Sequence, residues 1–159
     1  MPRRPLNETE KHDWLRLSRT KNVGPITFRQ LLRRFGSARA ALDALPAMAQ
    51  HGGRKSFILP PKNLIDDEFA NIEKMGAQLI AWCEPDYPES LAAIEDAPPL
   101  ITVRGNVGLM HKRCIGIVGA RNASLNGRKM AESLAQELGQ KDFAIVSGMA
   151  RGIDTAGIG

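Results

Sequence analysis

The stretch Cys114-Ile115-Gly116-Ile117-Val118-Gly119-Ala120-Arg121-Asn122-Ala123-Ser124 limits the folds open to this chain more than any other. Its first half is a short apolar run with β-branched residues that ends abruptly at glycine, the pattern of a buried strand. Its second half places glycine, arginine and serine at a strand-to-helix turn. Gly119 admits a close backbone approach, Arg121 offers a planar fork of donors for a phosphate, and Ser124 or Asn126 caps the helix behind them. That helix carries Met130, Leu134 and Leu138 at intervals of four, with Ala131 and Ala135 beside them, and Gly139 ends it. A second buried strand follows, Phe143-Ala144-Ile145-Val146-Ser147, and runs into Gly148-Met149-Ala150-Arg151-Gly152-Ile153-Asp154.

Strand, helix and strand within about thirty residues make a βαβ unit, and hence a parallel, right-handed connection. Both glycine loops then leave the carboxyl ends of neighbouring strands, where open α/β sheets take ligands. Either loop alone reads equally well as a tight turn. Together, each with a polar anion donor, they predict an anion site. The pattern is not the dinucleotide fingerprint: the turn is Gly116-Ile-Val-Gly119, and no Walker-type Gly-Lys-Ser/Thr occurs.

A chain of 159 residues with 43% hydrophobic content has room for one ordinary domain or two small ones. No apolar run approaches the length of a membrane helix, and the start, Met-Pro-Arg-Arg-Pro, lacks the apolar segment of a signal peptide, so a cytoplasmic protein without membrane contact is expected. Cys83 and Cys114 lie far apart in strand-like contexts and are expected as buried thiols. Three scattered histidines and no Cys/His cluster predict neither a metal nor a cofactor. The charge is unevenly spread. Residues 1–60 hold 12 basic and 4 acidic side chains, residues 61–100 hold 2 and 9, and residues 101–159 hold 8 and 4. Two basic blocks flanking an acidic middle suggest a polyanionic partner at one or both ends.

The first block reads as helical. One helix starts near Thr9 and buries Trp14, Leu15 and Leu17; Asn22-Val23-Gly24-Pro25 is a turn; Pro25 opens a second helix with Phe28, Leu31, Leu32 and Phe35 on one face. Gly36 ends it, Ser37 caps a third helix from Ala38 to Leu45, Pro46 closes that helix, and Gln50 to Lys55 is a loop. Helix, Gly-Pro turn and helix in a basic segment resemble a helix-hairpin-helix or sterile-alpha-motif-like module, with Asn22 at the first hairpin-glycine position and Arg29 and Arg33 on one exposed face. An acidic helix is expected from Asn63 to Met75 and a strand from Ala77 to Cys83. The turn Glu84-Pro85-Asp86-Tyr87-Pro88, a short helix around Ser90 to Ile94 and a strand from Leu100 to Gly105 complete the middle. The carboxylates between Glu84 and Asp96 have no nucleophile or base beside them and are expected as a solvated acidic surface.

Four blocks in order carry a resemblance: Pro85-Asp86-Tyr87-Pro88; Ala97-Pro98-Pro99-Leu100 with Arg104-Gly105; Val118-Gly119-Ala120-Arg121 with Ser124; and Ser147-Gly148-Met149-Ala150-Arg151-Gly152-Ile153-Asp154. Together they resemble the DNA-processing protein A family (DprA, also called Smf), proteins of natural transformation, competence and DNA recombination. The resemblance implies an α/β protein: a small helical domain over residues 1–60, then a Rossmann-like DNA-binding domain over 61–159 with a truncated parallel sheet. It implies binding of single-stranded DNA, delivery of that DNA to the RecA recombinase, and a homodimer in the full-length form. The DNA or phosphate contacts it implies are Gly119, Arg121, Ser124, Ser147, Gly148, Arg151, Gly152 and Asp154, with no catalytic residue. The family continues past Gly-Ile-Asp with a helix bearing Ala-His, whereas this chain reads Thr155-Ala156-Gly157-Ile158-Gly159. Two rival functions remain: a Rossmann-like enzyme such as a nucleoside-monophosphate phosphoribohydrolase, and a hairpin module in which residues 1–60 alone bind duplex DNA.

Overall fold

The computed structural model describes residues 3–51 and 57–158, and these divide into two compact units between Gly105 and Asn106. The first unit opens with α1 (Glu8–Ser18), α2 (Pro25–Phe35), α3 (Ala38–His51) and α4 (Lys62–Lys74). Helix α1 starts in a capping box: the Asn7 side chain accepts from the Glu10 amide while Glu10 reaches back to the Asn7 amide. Pro25 sits in the first turn of α2, and Gly36 ends that helix at φ +80°, a backbone conformation that favours glycine. The turn between α1 and α2 places Asn22 at φ +67°. Asparagine enters the left-handed region more readily than most residues with a side chain, so the hairpin bend survives without a glycine there.

The core of this unit gathers Trp14, Leu17, Phe28, Leu31, Leu32, Ala41, Leu42 and Leu45, with the Trp14 and Phe28 rings 5.1 Å apart. It contains Phe28, Leu31 and Leu32 of the face expected of α2, with Phe35 packed against it, and Trp14 and Leu17 of that expected of α1. Helix α3 differs from expectation. It runs through Pro46 to His51 and does not close there, and the rest of the expected Gln50–Lys55 loop lies largely outside the described residues. Proline removes one helical hydrogen bond, a loss that a helix packed on both α1 and α2 tolerates.

Strands β1 (Ala77–Ala81) and β2 (Leu100–Arg104) pair antiparallel, Ala77 opposite Arg104 and Ala81 opposite Leu100. A four-residue helix α5 (Glu89–Ala92) lies between them in the chain. Leu79 joins Leu15, Ile65 and Ile72 in a second cluster, which ties this hairpin to α1 and α4. The boundary expected at residue 60 therefore falls inside the first unit, because β1 and α4 bury their apolar faces against α1.

The motif blocks of this region are structural. Tyr87 is fully buried, and its hydroxyl donates to the Pro98 carbonyl at 2.8 Å, joining Pro85-Asp86-Tyr87-Pro88 to Ala97-Pro98-Pro99. Glu84 is not part of a solvated acidic surface. It is buried, accepts from the Leu6 amide at 2.9 Å and the Ala81 amide at 2.7 Å, and pairs with Lys11 at 3.2 Å. A buried carboxylate needs such partners to offset its lost hydration. Nor is Arg29 a free surface cation: it lies 4.7 Å over the Trp82 ring and donates to the carbonyls of Ile94, Glu95 and Ala97.

The second unit holds a short 3-10 turn (Val107–His111), β3 (Cys114–Gly116), α6 (Leu125–Gln140), β4 (Ala144–Val146) and α7 (Ile153–Ala156). Strands β3 and β4 pair in parallel, with Ile115 opposite Ile145. Bonds from the Ala144 amide to Arg113 and from the Ile117 amide to Val146, both 2.9 Å, extend the ladder at each end. This is the βαβ unit read from the sequence. Its cover differs from the pattern. Met130 is 66% exposed and Leu134 45%, and Ala131 is the buried residue of α6. Two three-residue strands and a four-residue helix are too small to cover a stripe on a sixteen-residue helix. For the same reason Cys114, expected as buried, is exposed, while Cys83 is buried as expected; both are free thiols.

Candidate nucleic-acid interface

The loop after β3 and the loop after β4 leave the same end of the parallel pair, and the chain stitches them together. The Ser147 hydroxyl donates to the Ile117 carbonyl at 2.8 Å, so it is engaged in joining the strand ends. Asp154, second residue of α7, extends its carboxylate across both loops. One oxygen accepts from the Gly119 amide at 3.3 Å and the other from the Gly148 amide at 3.1 Å. The Ile153 amide closes the seam on the Ala120 carbonyl at 3.2 Å.

Packing explains why glycine occupies these positions. A Cβ on Gly119 would lie 2.7 Å from the Ile153 side chain, and one on Gly148 would lie 3.1 Å from the Asp154 carboxylate. Gly152 has φ +92°, and a Cβ there would lie 2.2 Å from the Ala120 carbonyl oxygen and 2.6 Å from that of Arg121. The glycines thus serve close approach of one loop to the other, a role that spacing alone does not separate from approach to a ligand.

Two arginines remain on the outside. Arg121 and Arg151 are exposed, and among the described residues neither side chain has a hydrogen-bond or ion-pair partner. The backbone contact between Arg121 and Gly152 brings the chain segments that carry them side by side. Behind Arg121, Ser124 caps α6: its hydroxyl accepts from the Gly127 amide at 3.1 Å. The sixteen-residue α6 presents the positive end of its dipole at this point.

Of the eight residues expected from the sequence, the structure brings all into this one pair of loops but divides their chemistry. Arg121, Arg151 and Ser124 present groups at the surface. Gly119, Ser147, Gly148, Gly152 and Asp154 hold the loops. Sequence reasoning missed Val118 and Met149, 75% and 79% exposed, each an apolar side chain a few residues before one of the arginines. Their signal was an apolar residue beside a loop glycine: Val118 reads as the end of the strand before Gly119, and Met149 as part of the turn after Gly148. Among the described residues no group of His, Cys, Asp and Glu has the arrangement to hold a metal ion, and no helix is long and apolar enough to cross a membrane.

Comparison with known proteins gives concordant matches. The family described as DNA recombination-mediator protein A matches residues 78–158, and the DprA-like N-terminal HHH domain matches residues 8–71. Protein Smf of Synechocystis sp. is 30% identical over 162 residues, covering 94% of this chain and 40% of that protein. DNA processing protein DprA of Streptococcus pneumoniae is 37% identical over 92 residues, covering 58% of this chain and 32% of that protein. The DprA protein of Bacillus subtilis is also 37% identical, over 86 residues, 54% of this chain and 29% of that protein. The X-ray structure of DprA from Streptococcus pneumoniae superposes with a TM-score of 0.58 at 25% identity, covering 94% of this chain and 51% of that one. The chain thus spans 40% or less of these curated relatives.

Proposed function

The chain belongs to the DNA recombination-mediator protein A family, and from that premise we propose that it binds single-stranded DNA in DNA processing, through the paired loops after β3 and β4. The observation that carries the reading is the pair of exposed arginines, unpartnered among the described residues, on two loops locked to each other beside the capped end of α6. Guanidinium groups take phosphates through charge-assisted hydrogen bonds, and a helix N-terminus favours the same charge. Val118 and Met149 add apolar surface against which unstacked bases can lie. Contacts of this kind are blind to base identity, so binding is sequence-tolerant. The proposed roles are Arg121 and Arg151 as phosphate ligands, Ser124 as the cap that orients α6, and Gly119, Ser147, Gly148, Gly152 and Asp154 as the frame. The family resemblance further supports delivery of the bound strand to the RecA recombinase, a homodimer in the full-length form, action in the cytoplasm, and binding without catalysis.

Fluorescence anisotropy with a labelled thymidine oligonucleotide tests this. Arg121→Ala removes a charge-assisted contact worth roughly 1.5–3 kcal/mol, so affinity falls about ten- to a hundredfold. The log–log salt dependence flattens by about 0.7, the share of one phosphate on a single strand. A folded Arg121→Ala protein that binds as tightly as wild type at every salt concentration overturns the assignment. Release of free base from a nucleoside monophosphate would favour the enzyme reading instead.

A further inference from the structure

Two carboxylates are buried among the described residues, and they are satisfied differently. Glu84 has the ammonium of Lys11 at 3.2 Å. Asp154, 5% exposed, has no cation among the described residues; the hydrogen bonds to its carboxylate come from the backbone amides of Gly119 and Gly148. Burying a carboxylate without a counter-charge is costly unless fixed dipoles replace its water. The two amides belong to loops 29 positions apart in sequence, so the fold has built a cradle for an anion and filled it from its own chain. A negative charge there also bars phosphate from those amides. That role is an alternative to the phosphate contact that the family resemblance implies for Asp154.

We propose that Asp154 is an internal anion whose carboxylate fixes the separation of the two loops, and so the spacing at which Arg121 and Arg151 meet a strand. This positioning role rests on the DNA-binding reading above. Gly152 and Ile153 support it: Gly152 admits the carbonyls of Ala120 and Arg121, and Ile153 fills the space over Gly119. Removing the carboxylate takes from both amides the acceptor that ties one loop to the other, and lets the loops part. A small carboxylate from solution has the same charge and geometry and fits the same amides.

The test uses Asp154→Ala in the whole 159-residue chain, with sodium formate compared against sodium chloride at equal ionic strength. Amide hydrogen exchange at Gly119 and Gly148 reads the cradle, and anisotropy with a thymidine oligonucleotide reads the strand. We expect both amides to lose protection and affinity to fall at least about tenfold, the scale of 1.4 kcal/mol. Formate, and not chloride, restores protection and brings affinity back to within about threefold of wild type, which itself shows no formate effect. A folded Asp154→Ala protein with wild-type affinity, or one whose amides ignore formate, overturns the proposal. Should that variant fail to fold, Asp154→Asn decides: it keeps one acceptor, so one of the two amides loses protection, and retention of both refutes the role. If wild type does not bind the oligonucleotide while formate still reprotects the amides of Asp154→Ala, the DNA reading fails and the internal anion stands.

Discussion

Gly152→Ala is the substitution for which the fold of the second unit makes the sharpest demand. At φ +92° and ψ −120° Gly152 occupies backbone space that residues with a side chain rarely enter. Strain of this kind costs about 1–3 kcal/mol. The new methyl would also sit 2.2 Å from the Ala120 carbonyl oxygen and 2.6 Å from that of Arg121, so that peptide must retreat. Retreat breaks the bond from the Ile153 amide to Ala120, 3.2 Å long, at a further cost of about 0.5–1.5 kcal/mol. The total is roughly 2–4 kcal/mol, against a stability of about 3–8 kcal/mol for a unit of some fifty residues. Hydrogen exchange measures it locally. The Ile117 and Ala144 amides, which bond to Val146 and Arg113, should exchange about thirtyfold faster or more, the factor for 2 kcal/mol. Amides of α1 and α2 should not change. Gly139→Ala is the control, since its Cβ position faces open space and it sits in the last turn of α6; alanine there should stabilise by about 0.4–1 kcal/mol. If Gly152→Ala leaves exchange at Ile117 and Ala144 within twofold of wild type, the packing account of this glycine is wrong.

Two further outcomes test the first unit. Tyr87→Phe removes the hydroxyl that donates to Pro98 at 2.8 Å and leaves a partly buried carbonyl without that donor, so a thermal melt should shift down by roughly 5–10 °C, as for about 1–1.5 kcal/mol in a domain of this size. Glu10 is held down to about 2 from its ordinary 4.5, first by the hydrogen bond from Arg4 and then by that from the Asn7 amide. A carboxylate depressed in the folded state adds stability that is complete above its unfolded pKa and is lost as pH falls toward the folded one. That window here runs from about 4.5 down to about 2. Arg4→Ala should raise the Glu10 midpoint in a carboxyl NMR titration, leaving the backbone bond to hold part of the shift; an unmoved midpoint would show that Arg4 does not set it.

What the sequence made legible follows from which interactions are local. Helices α1 and α2 were readable because Trp14, Leu15, Leu17, Phe28, Leu31 and Leu32 recur at helical spacing, and Pro25 and Gly36 mark the ends. The β3–α6–β4 unit was readable for a similar reason: apolar runs on either side of a capped helix admit few arrangements. Periodicity could not say how much of a face finds a partner. Met130 and Leu134 have the spacing of a core stripe and remain exposed, because cover depends on other elements. Pro46 is a strong local stop signal that tertiary packing overrode. Glu84, Arg29 and Tyr87 looked like surface or turn residues, since their partners lie 78, 66 and 11 positions away in the chain.

The site poses a subtler problem, because glycine, serine and aspartate in a loop are ambiguous by chemistry. The same amide that takes a phosphate oxygen takes a carboxylate oxygen, and the same missing Cβ admits a ligand or a neighbouring loop. Here Ile153 explains Gly119, Ala120 and Arg121 explain Gly152, and Asp154 consumes the two amides a phosphate would want. Elimination then leaves the side chains that the fold does not use. Arg121 and Arg151 lie exposed and unpartnered among the described residues, on loops whose Gly119 and Gly148 amides are already taken. A flexible pair of loops would have to be ordered by the strand it binds, at a cost in conformational entropy for every residue fixed. Loops ordered in advance by an internal anion present their arginines without that cost, so the binding energy of two guanidinium groups appears more fully as affinity. On this argument Arg121 and Arg151 cooperate through Asp154. The combined loss in Arg121→Ala/Arg151→Ala should fall short of the sum of the single losses in wild type, since either change alone already forfeits the joint contact, and should equal that sum when Asp154 is also alanine, where parted loops bind separately. A double-mutant cycle at the two arginines, measured with and without the carboxylate, reads that difference directly; identical coupling in both backgrounds would mean that the two loops bind independently.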